Sequence, residues 1–171
     1  MMRMRQLQGF SMIELLVAVL VVGIGVLGAT GLQLISLQHN RGAVLRSEAV
    51  QLAYDIMDRI RANPNGNYGG LNLGSPPPPA PNCLGGVCSE AQMASFDQAS
   101  WKCSLGTYNS DAVCAGLRAA AVLAPTANQP GLPSGDGSIA VNAATGLVTV
   151  TVTWQEQNVS IPTTISFESR R

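Results

Sequence analysis

The first long apolar segment of the chain lies close to its N-terminus. No charged side chain occurs from Leu15 to Leu37, and about 20 apolar residues in a helix suffice to cross the roughly 30 Å hydrocarbon core of a membrane. Arg3 and Arg5 precede this segment, and no matching basic cluster follows it directly. Because such positive charge stays on the cytoplasmic side, we predict one membrane span at about 15–37, with the following part of the chain exported.

Helical periodicity continues beyond the apolar segment. Apolar residues recur at steps of three and four, which places them on one face of a helix: Leu45, Ala49, Leu52, Ile56 and Ile60. The pairs Asp55/Arg59 and Asp58/Arg61 have helical spacing, and we interpret them as ion pairs on a solvated face. Asn63-Pro64 ends the pattern, since proline removes a donor and disfavours helix in the residue before it. We therefore predict one stalk helix over 10–62, amphipathic in its second half.

The segment 63–82 is rich in Asn, Gly and Pro and includes four consecutive prolines, Pro76 to Pro79. Such a run favours an extended polyproline conformation without internal hydrogen bonds. We expect a surface connector that separates the stalk from a C-terminal head over 83–171.

Two short helices are predicted in the head. Ser89 and Gln92 have capping-box spacing, which predicts a helix from Ser89 to about Trp101 with Met93 and Phe96 facing inward. A second, weaker helical segment is expected over 117–124, ending before a proline.

Strand patterns follow the helical ones. They are expected at Ile139–Val141, Leu147–Glu156 and Ile161–Phe167. In the middle strand, Val148, Val150, Val152 and Trp154 alternate with threonines. This period of two is typical of a strand with one buried face, so the head is predicted to contain a small sheet.

All four cysteines, Cys83, Cys88, Cys103 and Cys114, lie in the part predicted to be exported. In an oxidising compartment an even number of cysteines indicates disulfides, and four cysteines allow three pairings. We favour Cys83 with Cys88 and Cys103 with Cys114, while the nested pairing of Cys83 with Cys114 and Cys88 with Cys103 stays open. A zinc site is disfavoured, because the spacing lacks short ligand pairs.

The residues just before the apolar segment read Gly9-Phe10-Ser11-Met12-Ile13-Glu14. An ordinary secretory signal is cleaved after its apolar core, whereas a cut between Gly9 and Phe10 removes the basic leader, 1–9, and keeps the core. Glu14 begins the apolar helix, where a carboxylate that enters lipid needs a partner. The amine that cleavage creates on Phe10, in the same or a neighbouring subunit, is the predicted partner.

This junction, followed by Leu-Leu-Val-Ala-Val-Leu, resembles the leader junction of type IV pilins and type II secretion pseudopilins. The resemblance implies cleavage between Gly9 and Phe10 by an inner-membrane prepilin peptidase, N-methylation of Phe10 and assembly into a helical filament. It also implies that Glu14 pairs with the N-terminal amine of a neighbouring subunit during assembly.

The rest of the chain resembles PilV-type minor pilins, also called type IV pilus modification proteins. The residues concerned are the stalk end Met57 to Pro64, the helix capped at Ser89 with Trp101-Lys102, and the strand Thr149 to Trp154. The implied fold is α+β and type IV pilin-like. In it a long N-terminal helix packs on a small antiparallel sheet with short helices and disulfide-bounded loops.

The implied function is that of a minor pilin that takes part in priming pilus assembly at the filament tip. Its implied partners are the prepilin peptidase, other minor pilins, the major pilin and, before assembly, inner-membrane lipid. The protein would be a single-pass inner-membrane protein with a periplasmic head, and part of the pilus after assembly. The alternatives are a minor pseudopilin of a type II secretion system and an adhesin or receptor domain displayed on a pilin stalk.

The residue inventory disfavours an enzyme and a nucleic-acid-binding protein. His39 is the only histidine and lies on the stalk, so no Ser/His/Asp constellation can form in the head. The head has a net charge of −2 from four basic and six acidic residues over 63–171, whereas phosphate binding needs clustered Lys and Arg. The glycines Gly23, Gly25 and Gly28 have the G-x-G-x-x-G spacing of a dinucleotide-binding motif. They lie in the predicted membrane segment, whereas that motif follows a strand in a soluble domain. No cofactor and no metal are expected.

Overall fold

The computed structural model describes residues 9–157 and 159–170. Its elements are the helices α1 (Met12–Ala62), α2 (Glu90–Leu105) and α3 (Ala112–Ala119), followed by the strands β1 (Asp136–Asn142), β2 (Leu147–Trp154) and β3 (Thr163–Arg170). The chain divides into two compact units between Ala43 and Val44. The first is called the anchor unit below, and the second is called the head unit.

The anchor unit is the first part of α1 with the residues before it. Its side chains from Gly9 to Arg41 are all exposed. The most apolar window of α1 has a mean hydropathy of 2.6 and none of it is buried, so α1 is long and apolar enough to cross a membrane. Apolar surface on this scale is rarely left in water, and lipid or neighbouring helices must cover it.

The outer half of α1 supplies one wall of the core in the head unit. The predicted stripe is confirmed: Ala49, Ile56 and Ile60 are buried, while Leu45 and Leu52 are partly buried against the same cluster. The helix ends at Ala62, directly before Asn63-Pro64, as proline chemistry predicts. In the head unit the amphipathic stripe therefore faces the sheet and not solvent.

The sheet has three antiparallel strands in the order β1-β2-β3. Its register aligns Ile139 with Val150 on one side and Val150 with Phe167 on the other. Burial alternates along β2, with Val148, Val150, Val152 and Trp154 inside. The period-two prediction for this strand is thus confirmed, and the central strand carries the middle of the core.

The helix α2 begins at the predicted cap. The Ser89 hydroxyl accepts from the Gln92 amide at 3.3 Å, and the Gln92 side chain accepts from the Ser89 amide at 2.9 Å. The helix runs to Leu105, four residues beyond the predicted end. It continues because Trp101 and Leu105 are both buried in the core, and tertiary packing supports turns that local sequence signals do not mark.

Glycine is required where α2 ends. Gly106 has a φ of 123°, a region that side chains with a Cβ rarely adopt. A Cβ at Gly106 would also lie 2.4 Å from the Leu132 carbonyl oxygen. This close approach seats the loop before β1 against the end of α2.

The predicted position of the second short helix was wrong. The expectation was 117–124, whereas α3 spans Ala112–Ala119. Asp111 caps it by accepting from the Val113 amide at 2.8 Å, and Ala121 leaves helical geometry with a φ of 57°. Asp111 is a favourable N-cap residue. The helix therefore begins directly after Asp111 and not at the apolar residues from 117 onward.

The segment 63–82 does more than connect stalk and head. Tyr68 is fully buried and Leu71 is 6% exposed, both within the main core. The Ile139 amide donates to the Leu71 carbonyl at 2.8 Å, which adds a short bridge beside β1. This segment therefore belongs to the packed structure of the head unit.

Two disulfides connect Cys83 with Cys88 and Cys103 with Cys114. This is the pairing that the sequence favours. The second disulfide lies inside a smaller apolar cluster with Phe96, Ala99 and Leu117. It joins α2 to α3, the two elements that form this cluster.

Candidate processing and assembly site

The predicted cleavage junction lies outside regular secondary structure. Gly9, Phe10 and Ser11 precede α1, and the helix begins where the Ser11 carbonyl accepts from the Glu14 amide at 3.1 Å and the Leu15 amide at 3.3 Å. The Phe10 side chain is 80% exposed. The bond between Gly9 and Phe10 is therefore accessible, while the leader arginines Arg3 and Arg5 lie outside the described residues.

Gly9 has no packing reason to be glycine within the part of the chain that the structure describes. A Cβ built on Gly9 meets no atom within 4 Å, and its φ is not in the left-handed region. A side chain here would be tolerated by the fold. The fold of the described residues therefore sets no steric requirement for glycine at this position.

Glu14 lies in the first turn of α1, and its side chain is exposed. Carboxylates in this position are stabilised by about 0.3–1 kcal/mol through the unpaired amide groups of the helix N-terminus. Glu14 has no ion-pair partner among residues 9–157 and 159–170. Its carboxylate is thus available to a cation from outside this part of the chain.

A buried ion pair fixes the head unit. Lys102 is 0% exposed, and its Nζ lies 2.5 Å from Asp136 Oδ1. The same Nζ donates to the carbonyls of Asn72 at 2.9 Å and Gly137 at 2.7 Å. One ammonium group therefore joins α2, β1 and the segment before the prolines.

The Asp136 carboxylate is also held by backbone groups. It accepts from the Gly74 amide at 2.6 Å and the Gly137 amide at 2.7 Å. Burial lowers the pKa of Lys102, and the bond to Asp136 opposes this shift. Asp136 and Asp111 both have structural partners, and the described residues hold no group of three metal-ligating side chains.

Arg59 does not lie on a solvated face, in contrast to the prediction from helical spacing. It does pair with Asp55 at 3.0 Å, but it also donates to Asp97 at 3.3 Å and to the Ser100 hydroxyl at 3.3 Å. It therefore fastens α1 to α2. The exposed pair of Asp58 with Arg61 fits the original interpretation.

The acceptor in this network is Asp97, whose side chain is only 9% exposed. Tyr68 donates its hydroxyl to Asp97 at 2.6 Å. The sequence carries a signal for this network in the spacing of α2. Asp97 lies four residues before Trp101 and three after Ala94, so it shares the inward face of α2 with them, and a buried acid needs partners.

The Tyr68 hydroxyl gives the head unit a predicted alkaline pH dependence. Burial, and then the hydrogen bond to Asp97, raise the pKa of Tyr68 above its usual 10.0. The stabilisation that the protonated phenol provides is therefore complete below the pKa of the unfolded chain and is lost as the pH rises above it. Relative to Tyr68→Phe, the wild-type free energy of unfolding should fall by up to about 1.4 kcal/mol per pH unit above about pH 10.

The measurement is urea unfolding of the full-length chain in mild detergent, followed by tryptophan fluorescence between about pH 8 and about pH 11.5. Trp101 and Trp154, both buried in the head unit, are its only tryptophans and report its unfolding. A difference between wild type and Tyr68→Phe that stays constant over this range would contradict the prediction.

The first part of the chain matches two known families in succession. Residues 4–30 match the prokaryotic N-terminal methylation motif, and residues 31–99 match the family described as type IV pilin Tt1218. With the long apolar helix and the small antiparallel sheet, these matches make the chain similar to type IV pilins over residues 4–99. The pilin match covers the outer part of α1 and the first part of the head unit. Comparisons with curated proteins and with solved structures gave no match.

Proposed function

We propose that this protein is a minor pilin of a type IV pilus that takes part in priming assembly at the filament tip. The observation that carries the proposal is the exposed Gly9-Phe10 junction, followed at once by an apolar helix that continues into the head unit. The methylation-motif and pilin matches support the same class of protein.

Cleavage between Gly9 and Phe10 is the first proposed step. A prepilin peptidase removes the leader with Arg3 and Arg5 and leaves the apolar helix attached to the head. The cut creates a positive amine on Phe10, which is then N-methylated. The mature subunit is stored in the inner membrane until it assembles.

The second proposed step joins Glu14 to a processed amine. Glu14 is exposed in the first turn of α1. Without a partner, a carboxylate in lipid is costly, by about 2.5–3.5 kcal/mol at the centre of a membrane helix and less near its surface. The Phe10 amine of a neighbouring subunit offsets this cost when two stalks lie side by side. The pairing therefore favours assembly over isolated subunits in lipid.

Stalk packing is proposed to replace lipid contact in the filament. The glycines Gly23, Gly25, Gly28 and Gly31 lie within the exposed part of α1, and a Cβ at any of them meets nothing within 4 Å in a single chain. Small residues let neighbouring helices approach closely. Their place on the anchor unit supports a role in contacts between subunits.

The head is proposed to lie in the periplasm before assembly. Arg3 and Arg5 favour a cytoplasmic N-terminus. Both disulfides lie in the head unit, and disulfides persist in oxidising compartments. The assignment to a minor, PilV-type subunit is supported by the resemblance of the helix after Ser89 and the strand 149–154.

Replacing Glu14 with alanine tests the assembly step. We expect membrane insertion to be unchanged, since the apolar span remains, while the amount of the chain in sheared filaments falls by about tenfold, the factor that corresponds to about 1.4 kcal/mol of lost pairing. Quantitative immunoblots of membrane and filament fractions measure both amounts. The matched control is Glu168→Ala, which removes an exposed acid from β3.

Normal incorporation of the Glu14→Ala chain would show that the electrostatic step is wrong. The phenotype of cells that lack this protein distinguishes a role in a type IV pilus from a role in a type II secretion system. Loss of twitching motility with normal exoprotein release fits the proposal, and the reverse result contradicts it.

A further inference from the structure

The second disulfide lies where the end of α2 meets α3. Cys103 is in the last turn of α2, Cys114 is in α3, and the two are 11 residues apart in the sequence. Both cysteines are fully buried, and they lie in the smaller apolar cluster of the head unit and not in its main core. This bond can form only when the loop between the two helices has closed and has brought α3 against α2.

Chain length alone does not select this pairing. The nested alternative joins Cys88 to Cys103, which are 15 residues apart, and loop-closure entropy favours a separation of 11 over one of 15 by less than about twofold. The helix α2 excludes the alternative more strongly, because its axis separates Glu90 from Cys103 by about 20 Å, whereas the Cα atoms of a disulfide lie within about 7 Å. The helix thus keeps Cys88 away from Cys103, but it does not bring Cys114 to it.

Arg118 joins the two helices beside this disulfide by hydrogen bonds. It lies in the last turn of α3, and its Nη2 donates to the Cys103 carbonyl at 3.2 Å and to Asn109 Oδ1 at 2.5 Å. Its Nη1 donates to the carbonyls of Asn109 at 3.4 Å and Cys114 at 3.5 Å. One guanidinium therefore contacts the carbonyls of both cysteines and the loop between them.

These contacts can hold the loop closed without a covalent bond. Cys103 supplies one of the last four carbonyls of α2, which have no partner within the helix, and a cation is favourable near a helix C-terminus. Arg118 has no carboxylate partner among residues 9–157 and 159–170, so its hydrogen bonds go to neutral oxygens. Its rigid planar fork reaches several acceptors at once, which the compact ammonium group of a lysine does not.

We propose that Arg118 is a positioning residue for the Cys103–Cys114 disulfide: it closes the loop in the reduced chain and brings the two thiols together. The oxidant is another disulfide, either a small molecule such as oxidised glutathione or a protein disulfide. One cysteine thiolate attacks the oxidant, which gives a mixed disulfide and releases one thiol. The second cysteine thiolate attacks the protein sulfur of the mixed disulfide, forms the Sγ–Sγ bond and releases the other thiol. Two electrons and two protons pass from the cysteines to the oxidant.

The two steps need different states of the loop. Both cysteines are fully buried when the loop is closed, so the oxidant reaches a thiol only while the loop is open. The second step needs the closed loop, which Arg118 favours. Because coupling is reciprocal, a residue that favours closure in the reduced chain also favours the disulfide over the two thiols at equilibrium. The inference does not depend on the assignment to a minor pilin, since it requires only that the head meets an oxidant.

Equilibration of the folded full-length chain with reduced and oxidised glutathione in mild detergent tests this role. Alkylation of the free thiols and peptide mass spectrometry then give the oxidised fraction of each cysteine pair. We expect Arg118→Met to lower the equilibrium constant for forming the Cys103–Cys114 disulfide by about tenfold, because hydrogen bonds from a charged group are lost. The constant for Cys83 with Cys88 should stay unchanged.

The matched control is Arg61→Met, which removes a half-exposed arginine of α1 and should change neither equilibrium constant. Fluorescence of Trp101 and Trp154, which are buried in the main core, shows that the reduced variants remain folded.

Hydrogen exchange of the α3 amides separates positioning from general support of the fold. In the oxidised chain the covalent bond closes the loop, so Arg118→Met should change this exchange by less than about twofold. In the fully reduced chain the same substitution should make the exchange about tenfold faster, because the loop then opens more often. This second measurement also covers the case in which the reduced variant loses its fold, since the oxidised variant is compared by itself.

Three results would overturn the inference. The first is an equilibrium constant in Arg118→Met equal to that of the wild type. The second is an equal loss at both cysteine pairs, and the third is α3 exchange that is accelerated to the same degree in oxidised and reduced chains. Either of the last two would show that Arg118 supports the fold in general and does not position the two thiols.

Discussion

Asp136→Asn is expected to lower the free energy of unfolding of the head unit by about 3–5 kcal/mol, the usual cost of removing one partner from a buried ion pair. Lys102 is 0% exposed, and without the carboxylate its ammonium has only uncharged partners, among them the carbonyls of Asn72 and Gly137 and the ring of Tyr108. Urea unfolding of the full-length chain in mild detergent, followed by tryptophan fluorescence, measures the loss.

The matched control for this prediction is Asp58→Asn. Asp58 pairs with Arg61, but the two side chains are 70% and 49% exposed, and exposed pairs contribute less than about 1 kcal/mol. A double variant, Asp136→Asn with Lys102→Met, should be more stable than Asp136→Asn alone, because no buried charge is left unpaired. Equal effects of Asp136→Asn and Asp58→Asn would contradict the role assigned to Lys102.

Gly9→Val is expected to block processing completely and to exclude the chain from filaments. Within the described part of the chain a Cβ at Gly9 meets nothing within 4 Å, so we expect the substitution to leave the fold of the described residues intact. The added bulk lies directly beside the bond proposed as the cleavage site. Immunoblots should show one uncleaved form in the membrane fraction and none in sheared filaments.

The control for Gly9→Val is Gly85→Val in the loop between Cys83 and Cys88. A Cβ at Gly85 also meets nothing within 4 Å, so both variants add equal bulk at an open position. Gly85→Val should be processed and assembled as wild type. If Gly9→Val is cleaved at the normal position, recognition of the junction has been misassigned.

The parts of the fold that depend on periodicity could be predicted from the sequence. The stripe on α1 and the alternation along β2 each bury the expected residues. Such patterns are reliable because several apolar residues recur at one fixed spacing, so each of them supports the same prediction. The capping box at Ser89 is similarly local, since both of its hydrogen bonds join residues three apart.

The missed features depend on contacts between residues far apart in the chain. Two such features are the pair of Lys102 with Asp136 and the network of Asp97 with Arg59 and Tyr68. The residues joined in these contacts lie 29 to 38 positions apart in the sequence. No spacing rule connects such residues before the fold is known. The end of α2 was missed for the same reason, because its last turn is supported by the core.

The candidate site differs from the head in this respect. Gly9, Phe10 and Glu14 are adjacent in the chain, so the sequence alone defines the junction. The structure adds that Phe10 is exposed and that, among the described residues, a Cβ at Gly9 would meet no atom within 4 Å. The hydrogen bond of Arg118 to the Cys103 carbonyl could not be predicted, since it joins α3 to the end of α2.

The central claim is that the apolar helix stays on the mature chain after the leader is removed. Intact-mass and N-terminal peptide mass spectrometry of the protein extracted from membranes tests this most directly. We expect a chain that starts at Phe10, carries one added N-methyl group and retains residues 15–37. A soluble species that lacks 15–37, or a membrane form that keeps the leader in pilus-producing cells, would contradict it.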